Sequence, residues 1–190
     1  TFMLSFTLLL CHSFFKNLFY HVYFLMHNGL ELERVNCPEF SFYFQNRCYR
    51  YFATQRTWTE AESDCVSEGL NLVSIHSPEE QRYVKFLISN FDANERATWI
   101  GYTDAQQEGV WLWSDRTIDN YQNWNRGEPN NFNGPENCAV TNWGFFRRWN
   151  DINCSEKFPF LCSGVLYLAC EQEKSQCFFT NYIKLNSPLL

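Results

Sequence analysis

Three short pieces of the sequence concentrate oxygen donors: Glu128-Pro129-Asn130, Glu136, and Asn150-Asp151. Glu128, Glu136 and Asp151 offer carboxylates; Asn130 and Asn150 offer amide carbonyls. A hard cation such as Ca²⁺ takes roughly six to eight oxygen ligands. Five side chains, with charge −3 set against +2, therefore leave coordination positions open. Two neighbouring sugar hydroxyls can fill them. Each hydroxyl oxygen gives a lone pair to the cation and accepts from an Asn NH2, while its proton goes to a Glu carboxylate. Five acids would bind the cation but leave the sugar without donors. Taken singly, each piece is more often an ordinary turn. The weight lies in the three together. Pro129 is expected to follow a cis bond, which would turn Glu128 and Asn130 to the same side.

The first two pieces lie in a stretch, Thr117 to Asn137, that is rich in Asn, Gly and Pro and has no regular pattern. A long irregular segment inside a folded domain is usually functional. The flanking sequence must hold it. Phe42–Phe44 and Cys48–Phe52 read as strands around a turn at Gln45-Asn46-Arg47. Thr57-Trp58-Thr59-Glu60 is a capping box. The helix it opens passes Ala61 and Cys65 and stops at Gly69. Asn71–Ile75 is strand-like. Ser77 then caps a second helix with Pro78 at its first position and Val84, Leu87 and Ile88 on its apolar stripe. Strands are expected at Trp99–Tyr102, Val110–Trp113, Cys138–Asn142 and Phe158–Cys162. The class is α+β: two early helices, then short antiparallel strands around a long loop.

Net charge is −6 and no Lys/Arg run occurs, so no nucleic-acid partner is expected. The nine Cys include no C-x-x-C pair, and the four His are scattered, which argues against zinc. Disulfides formed in an oxidising compartment explain the cysteines better. The odd count leaves at least one outside any internal pair. His76 is read as a structural neighbour of the Ser77 cap, because no Ser or Cys nucleophile stands in a recognisable motif with it. Trp111, Trp113, Trp124, Trp143 and Trp149 are read as core rather than ligand platform.

Residues 2–10 have the length and apolarity of a signal-peptide core. Residues 1–30 are therefore expected to be an export signal. The alternatives are a signal anchor, which would bring Lys16 near the bilayer centre at a cost of about 3 kcal/mol, or a fragment or mistaken start. Residues 31–36 read as a connector, 37–163 as the domain, and 164–190 as a loosely held tail closed by a Cys170–Cys177 pair.

From Cys37 to Cys162 the chain resembles a C-type lectin-like domain. The residues that carry the resemblance are Cys37-Pro38, Cys48, Cys65 in its helix, Asn71-Leu72-Val73-Ser74-Ile75-His76-Ser77, Trp99-Ile100-Gly101, Glu128-Pro129-Asn130, Glu136-Asn137-Cys138, Trp149-Asn150-Asp151, Cys154 and Cys162. The resemblance covers about two thirds of the chain. It implies a C-type lectin-like fold with the disulfides Cys37–Cys48, Cys65–Cys162 and Cys138–Cys154, leaving Cys11, Cys170 and Cys177. It implies one Ca²⁺ on Glu128, Asn130, Glu136, Asn150 and Asp151. In the family the E-P-N order goes with mannose, fucose or N-acetylglucosamine, and Q-P-D with galactose. Sugar contacts then fall to Glu128, Asn130, Glu136 and Asn150. Phe132 departs from the mannose pattern, since galactose-type members often place a stacking aromatic near it. Filling the loop is the reading preferred for Phe132 here. A second Ca²⁺ in some members would use Asp104, Glu108, Asn131 and Glu136. Asn at 131 and at 137 replaces acids there, which lowers Ca²⁺ affinity.

The expectation is a secreted, Ca²⁺-dependent binder of glycans with mannose-type vicinal hydroxyls, serving innate defence, with no enzymatic activity and an open oligomeric state. The alternatives are a secreted domain that binds ice or a protein surface, and a type II membrane receptor.

Overall fold

The structure, a computed structural model, describes residues 30, 32, 33, 37–165, 167–171 and 176–180. The chain divides after Leu32, and the fold described is that of the Glu33 side of the division. The expected export signal or anchor lies almost wholly outside the described residues, as does Cys11. Among the described residues no helix is long and apolar enough to cross a membrane.

Strands β1 (Phe42–Phe44) and β2 (Arg47–Arg56) form a hairpin with Phe44 opposite Arg47. Gln45 and Asn46 both take positive φ, 45° and 64°, as a two-residue hairpin turn matched to strand twist demands. Helix α1 spans Trp58–Ser67. Both halves of its capping box are made: Glu60 N donates to Thr57 Oγ1 and Thr57 N donates to Glu60 Oε2. Gly69, at φ +73°, turns the chain out of the helix. Short β3 (Asn71–Leu72) comes next. Helix α2 (Pro78–Phe91) starts on the Ser77 cap and buries Tyr83, Val84, Phe86, Leu87 and Ile88. The remaining strands of the main sheet are β4 (Thr98–Thr103), β5 (Leu112–Trp113), β6 (Cys138–Trp143), β7 (Arg148–Ile152) and β8 (Phe158–Val165). They assemble in the order β1-β2-β8-β4-β6-β7, with β3 beside β8 and β5 beside β4. All neighbours are antiparallel except β4 and β8, which meet in parallel at Trp99 and Phe160.

The core between α1 and the sheet contains Ala61, Cys65, Leu72, Trp99, Val140 and Phe160, all wholly buried. Disulfides bind it at three places: Cys37–Cys48, Cys65–Cys162 and Cys138–Cys154. The second closes a separation of 97 residues. On the chain-entropy account it stabilises by about 4–5 kcal/mol.

Several elements differ from expectation. The strand expected at Val110–Trp113 is only Leu112–Trp113, because Gln107–Val110 is a turn with Gly109 at φ +75°. Strand β7 carries Asn150 and Asp151, where no strand was expected. Strand β8 runs past residue 163, pairing Gly164 with Cys48 and Val165 with Arg47. Gly164 permits this: a Cβ there would sit 2.7 Å from Leu70 Cδ2. Among the described residues of the expected tail, β9 (Tyr167–Glu171) and β10 (Gln176–Thr180) form an antiparallel pair with Cys170 opposite Cys177. Glu33, in the expected connector, bridges to Tyr43. Trp111, Trp113 and Trp149 are buried as expected, whereas Trp143 is 36 % exposed.

Candidate functional site

The long loop is fastened along the free edge of β7. Trp149 N donates to Asn123 O (2.9 Å), and Asn125 N donates to Trp149 O (2.8 Å). Beneath it lies an aromatic floor in which Tyr102 contacts Trp111, Trp113, Trp124 and Trp149. Trp149 Nε1 donates to Gln81 Oε1 of α2, and Gln81 Nε2 donates to Thr141 Oγ1 of β6. The strand that carries Asn150 and Asp151 is thereby tied to both a helix and its neighbouring strand. Glu128 N then donates to Asn125 O, which turns the chain into the Glu128-Pro129-Asn130 segment. The Glu128–Pro129 bond is cis, as expected.

Asp151, fully buried, organises the part of the loop beyond Pro129. Its Oδ2 accepts from the backbone N–H groups of Asn130 (2.9 Å) and Asn131 (2.8 Å). Glu136 reaches back into the same loop, where its Oε2 accepts from Phe132 N (2.7 Å). Asn150 Nδ2 donates to the Asp151 carbonyl (2.8 Å), which leaves its second N–H for another acceptor. The structure thus gathers Glu128, Asn130, Glu136 and Asp151 around the loop, with Asn150 beside them on β7.

The electrostatics of this cluster are unbalanced. Burial, then the facing Asp151 carboxylate, then Glu136, push Glu128 up to about 7. Burial also raises Glu136, against the lowering effect of the Phe132 N–H. Among the described residues, two buried oxygens, Glu128 Oε2 and Asp151 Oδ1, have no hydrogen-bond partner while both carboxylates are ionised; a proton on Glu128 would bond it to Asp151. Like charges held together with unpaired buried oxygens are what a cation would relieve. Among the described residues no three His, Cys, Asp or Glu side chains stand as a ready-made metal group. The loop's own N–H groups hold Asp151 and Glu136, and two of the five expected ligands are amides.

The neighbouring group is built differently. Asp104 is 2 % exposed, and its Oδ2 accepts from Gly109 N (2.8 Å). Asn137 Nδ2 donates to Asp104 Oδ1 (3.0 Å) and to Glu108 Oε2 (3.4 Å). Asn131 Nδ2 donates to Glu108 Oε1 (2.7 Å), and Asn131 Oδ1 accepts from Glu136 N (2.7 Å). Asp104, Glu108 and Asn131 do come together, with amide donors between the acids. Asn131 adopts φ +51°, a conformation Asn tolerates well.

Phe132 does not fill the loop; it is 70 % exposed, so the packing role preferred from sequence is corrected. The anchors Asn123, Asn125 and Gln81 were missed, because single polar residues in a loop or helix carry no spacing signal. His76 is structural as expected, with Nδ1 2.9 Å from Asn120 Oδ1 and its ring against Trp113.

The pattern described as the lectin C-type domain matches residues 54–164. Ladderlectin of Oncorhynchus mykiss is 40 % identical over 189 residues, covering 92 % of this chain and 98 % of that protein. The chain belongs to the C-type lectin domain family. The galactose-specific lectin nattectin of Thalassophryne nattereri is 39 % identical to this C-type lectin domain chain over 129 residues, covering 67 % of it and 80 % of nattectin. The structure of herring type II antifreeze protein matches with a TM-score of 0.64 at 35 % identity, covering 69 % of this chain and 100 % of that one. C-type lectin domains are binding domains, and this one is not an enzyme. They typically bind Ca²⁺, although some relatives do not need it.

Proposed function

We propose that this domain binds glycans with mannose-type vicinal hydroxyls through one Ca²⁺ held by Glu128, Asn130, Glu136, Asn150 and Asp151. The observation that carries the reading is the pair of partnerless buried oxygens, Glu128 Oε2 and Asp151 Oδ1, in a cluster that drives Glu128 up to about 7. Bound Ca²⁺ would supply a Lewis-acidic centre that exchanges water for two sugar hydroxyls. Glu128 and Glu136 accept the hydroxyl protons. Asn130 and the second N–H of Asn150 donate to the hydroxyl oxygens. Asp151 binds the loop and the cation together through its two oxygens. The neighbouring Asp104, Glu108 and Asn131 carry no second cation, because the Asn131 and Asn137 amides already engage both acids.

Secretion and a role in innate defence accompany this reading. The disulfides support export, because such bonds persist in oxidising compartments. A single open site binds weakly, so clustering of copies or of ligand raises avidity. The test is retention on immobilised mannose in Ca²⁺ with release by chelator. Retention that survives chelator, or no retention while Ca²⁺ is bound, rejects the proposal.

One observation favours a second sugar class. Exposed Phe132 is free to stack on the apolar face of galactose, and nattectin is a galactose-specific lectin by name. Elution of the mannose-bound protein by free galactose as readily as by free mannose would establish that broader selectivity. Ice binding, one of the alternatives, is supported by the likeness to herring antifreeze protein. Thermal hysteresis in purified protein would decide for it.

A further inference from the structure

The hairpin between β6 and β7 has a tip unlike an ordinary turn. Gly144, Phe145, Phe146 and Arg147 connect Trp143 to its register partner Arg148. Such connections are normally polar. Here Phe145 is 92 % exposed, Phe146 65 % and Trp143 36 %. The two Phe rings contact each other edge to face at 5.3 Å, so the apolar surface is continuous rather than scattered.

The base of the tip is held firmly. Asn142 Nδ2 (3.1 Å) and Arg147 Nη1 (2.7 Å) both donate to the Glu95 carbonyl, and Arg147 N donates to Gly144 O. The phenylalanines therefore do not fold back onto the domain; they are presented to solvent by anchored backbone.

Charge around the tip is opposite to that of the chain. The protein carries −6 overall, yet Arg147 and Arg148 lie at the hairpin tip and half-buried Lys85 of α2 lies in their field. Burial, then Arg148, then Arg147, lower Lys85, which places the three cations within one another's field. Glu95 is the acid that faces them, pairing with Arg147 at 3.7 Å.

Aromatic side chains flanked by Arg and Lys suit the headgroup layer of a bilayer, where rings sit at the interface and cations meet phosphate. We propose that Trp143, Phe145 and Phe146, with Arg147, Arg148 and Lys85, form a docking tip for an anionic phospholipid surface. A protein partner would also cover aromatic rings, but exposed aromatic side chains next to three cations and one acid match an anionic membrane interface more closely. This contact needs no Ca²⁺ and is independent of the glycan reading. Because the tip and Asn150-Asp151 share β7, a lipid surface and a glycan would be engaged from one strand.

The test is cosedimentation of the full chain, in chelator, with phosphatidylcholine vesicles containing phosphatidylglycerol and with phosphatidylcholine vesicles alone. Binding to the anionic vesicles is expected, weaker at high salt. Arg148→Glu should reduce it by about tenfold or more, reversing a charge near the surface. Phe145→Ser with Phe146→Ser should abolish it without moving the thermal midpoint, since neither ring is buried. Vesicle contact should also blue-shift the Trp emission, and Trp143→Tyr should remove that shift. No binding to anionic vesicles, or equal binding by wild type and both variants, overturns the proposal. A concentration-dependent dimer that the double Ser variant dissolves also overturns it, by making a second copy the occupant.

Discussion

Two acidic clusters lie side by side in this domain, and only one is short of partners. Glu128, Glu136 and Asp151 face one another, with Glu128 Oε2 and Asp151 Oδ1 buried and unpaired. Asp104 and Glu108 face amide N–H groups of Asn131 and Asn137. Asn131 belongs to both groups, because its carbonyl also accepts from Glu136 N. The difference teaches that demand for a cation is set by the donors around the acids as much as by their number. An amide neutralises nothing, but it satisfies an oxygen that would otherwise remain bare.

The largest expected effect comes from emptying the first cluster of its central acid. Asp151→Asn should lower Ca²⁺ affinity by about a hundredfold or more, because it removes a ligand charge and disturbs two backbone donors. Isothermal titration would show the loss. If affinity survives, the cluster is not the cation's place.

Next is conversion of the second cluster into the first. Asn131→Asp with Asn137→Asp replaces amide donors by carboxylates against Asp104 and Glu108. The expected stoichiometry rises from one Ca²⁺ to two, and the chelated variant should melt roughly 5 °C or more below wild type through like-charge repulsion. An unchanged stoichiometry would break the contrast between the clusters.

pH gives a smaller, graded effect. The Glu128 value in the fold, about 7, lies above its ordinary 4.5. Its contribution to metal-free stability is therefore fully present below about 4.5 and is lost as pH rises through about 7. Ca²⁺ binding requires the ionised carboxylate, so affinity should weaken as pH falls through about 7. Calorimetry across that window, with and without chelator, should show the two trends running in opposite directions.

The smallest effect concerns Phe132, which touches the edge of the comparison. Phe132→Ala should leave Ca²⁺ affinity and mannose affinity within about twofold, because it removes only an exposed ring and keeps the backbone N–H that Glu136 accepts. Any galactose binding should drop more. Competition with the two free sugars would measure it.

The two helices were legible because their signals are local: Thr57 with Glu60, and Ser77 with Pro78, fix each start within four residues. The five oxygen-bearing residues proposed as ligands stand out in the sequence by their types. Their support was not. Strand β7 was missed because Asn150 and Asp151 are buried polar residues, which break the alternation that marks a strand. The last residues of β8 were missed because Ser163-Gly164 reads as a breaker, and only the Leu70 contact explains the glycine. The engagement of Asp104 and Glu108 by amides depends on side chains some thirty residues away in sequence, Asn137 lying 33 from Asp104. The aromatic tip left no trace either, since Phe-Phe in a sequence reads as core until its surroundings are known.

Strand β2 begins at Arg47 opposite Val165, where β8 ends, and Glu33 is bridged to the adjoining β1 at Tyr43. The polypeptide therefore enters and leaves this sheet along one margin, fastened there by Cys37–Cys48. A unit with such neighbouring ends can be spliced into a longer polypeptide, or have its ends joined and reopened elsewhere, without disturbing the loop that carries Glu128 and Asn130. Portability is thus a property of the margin, and selectivity a property of the loop, so each is free to change while the other is kept.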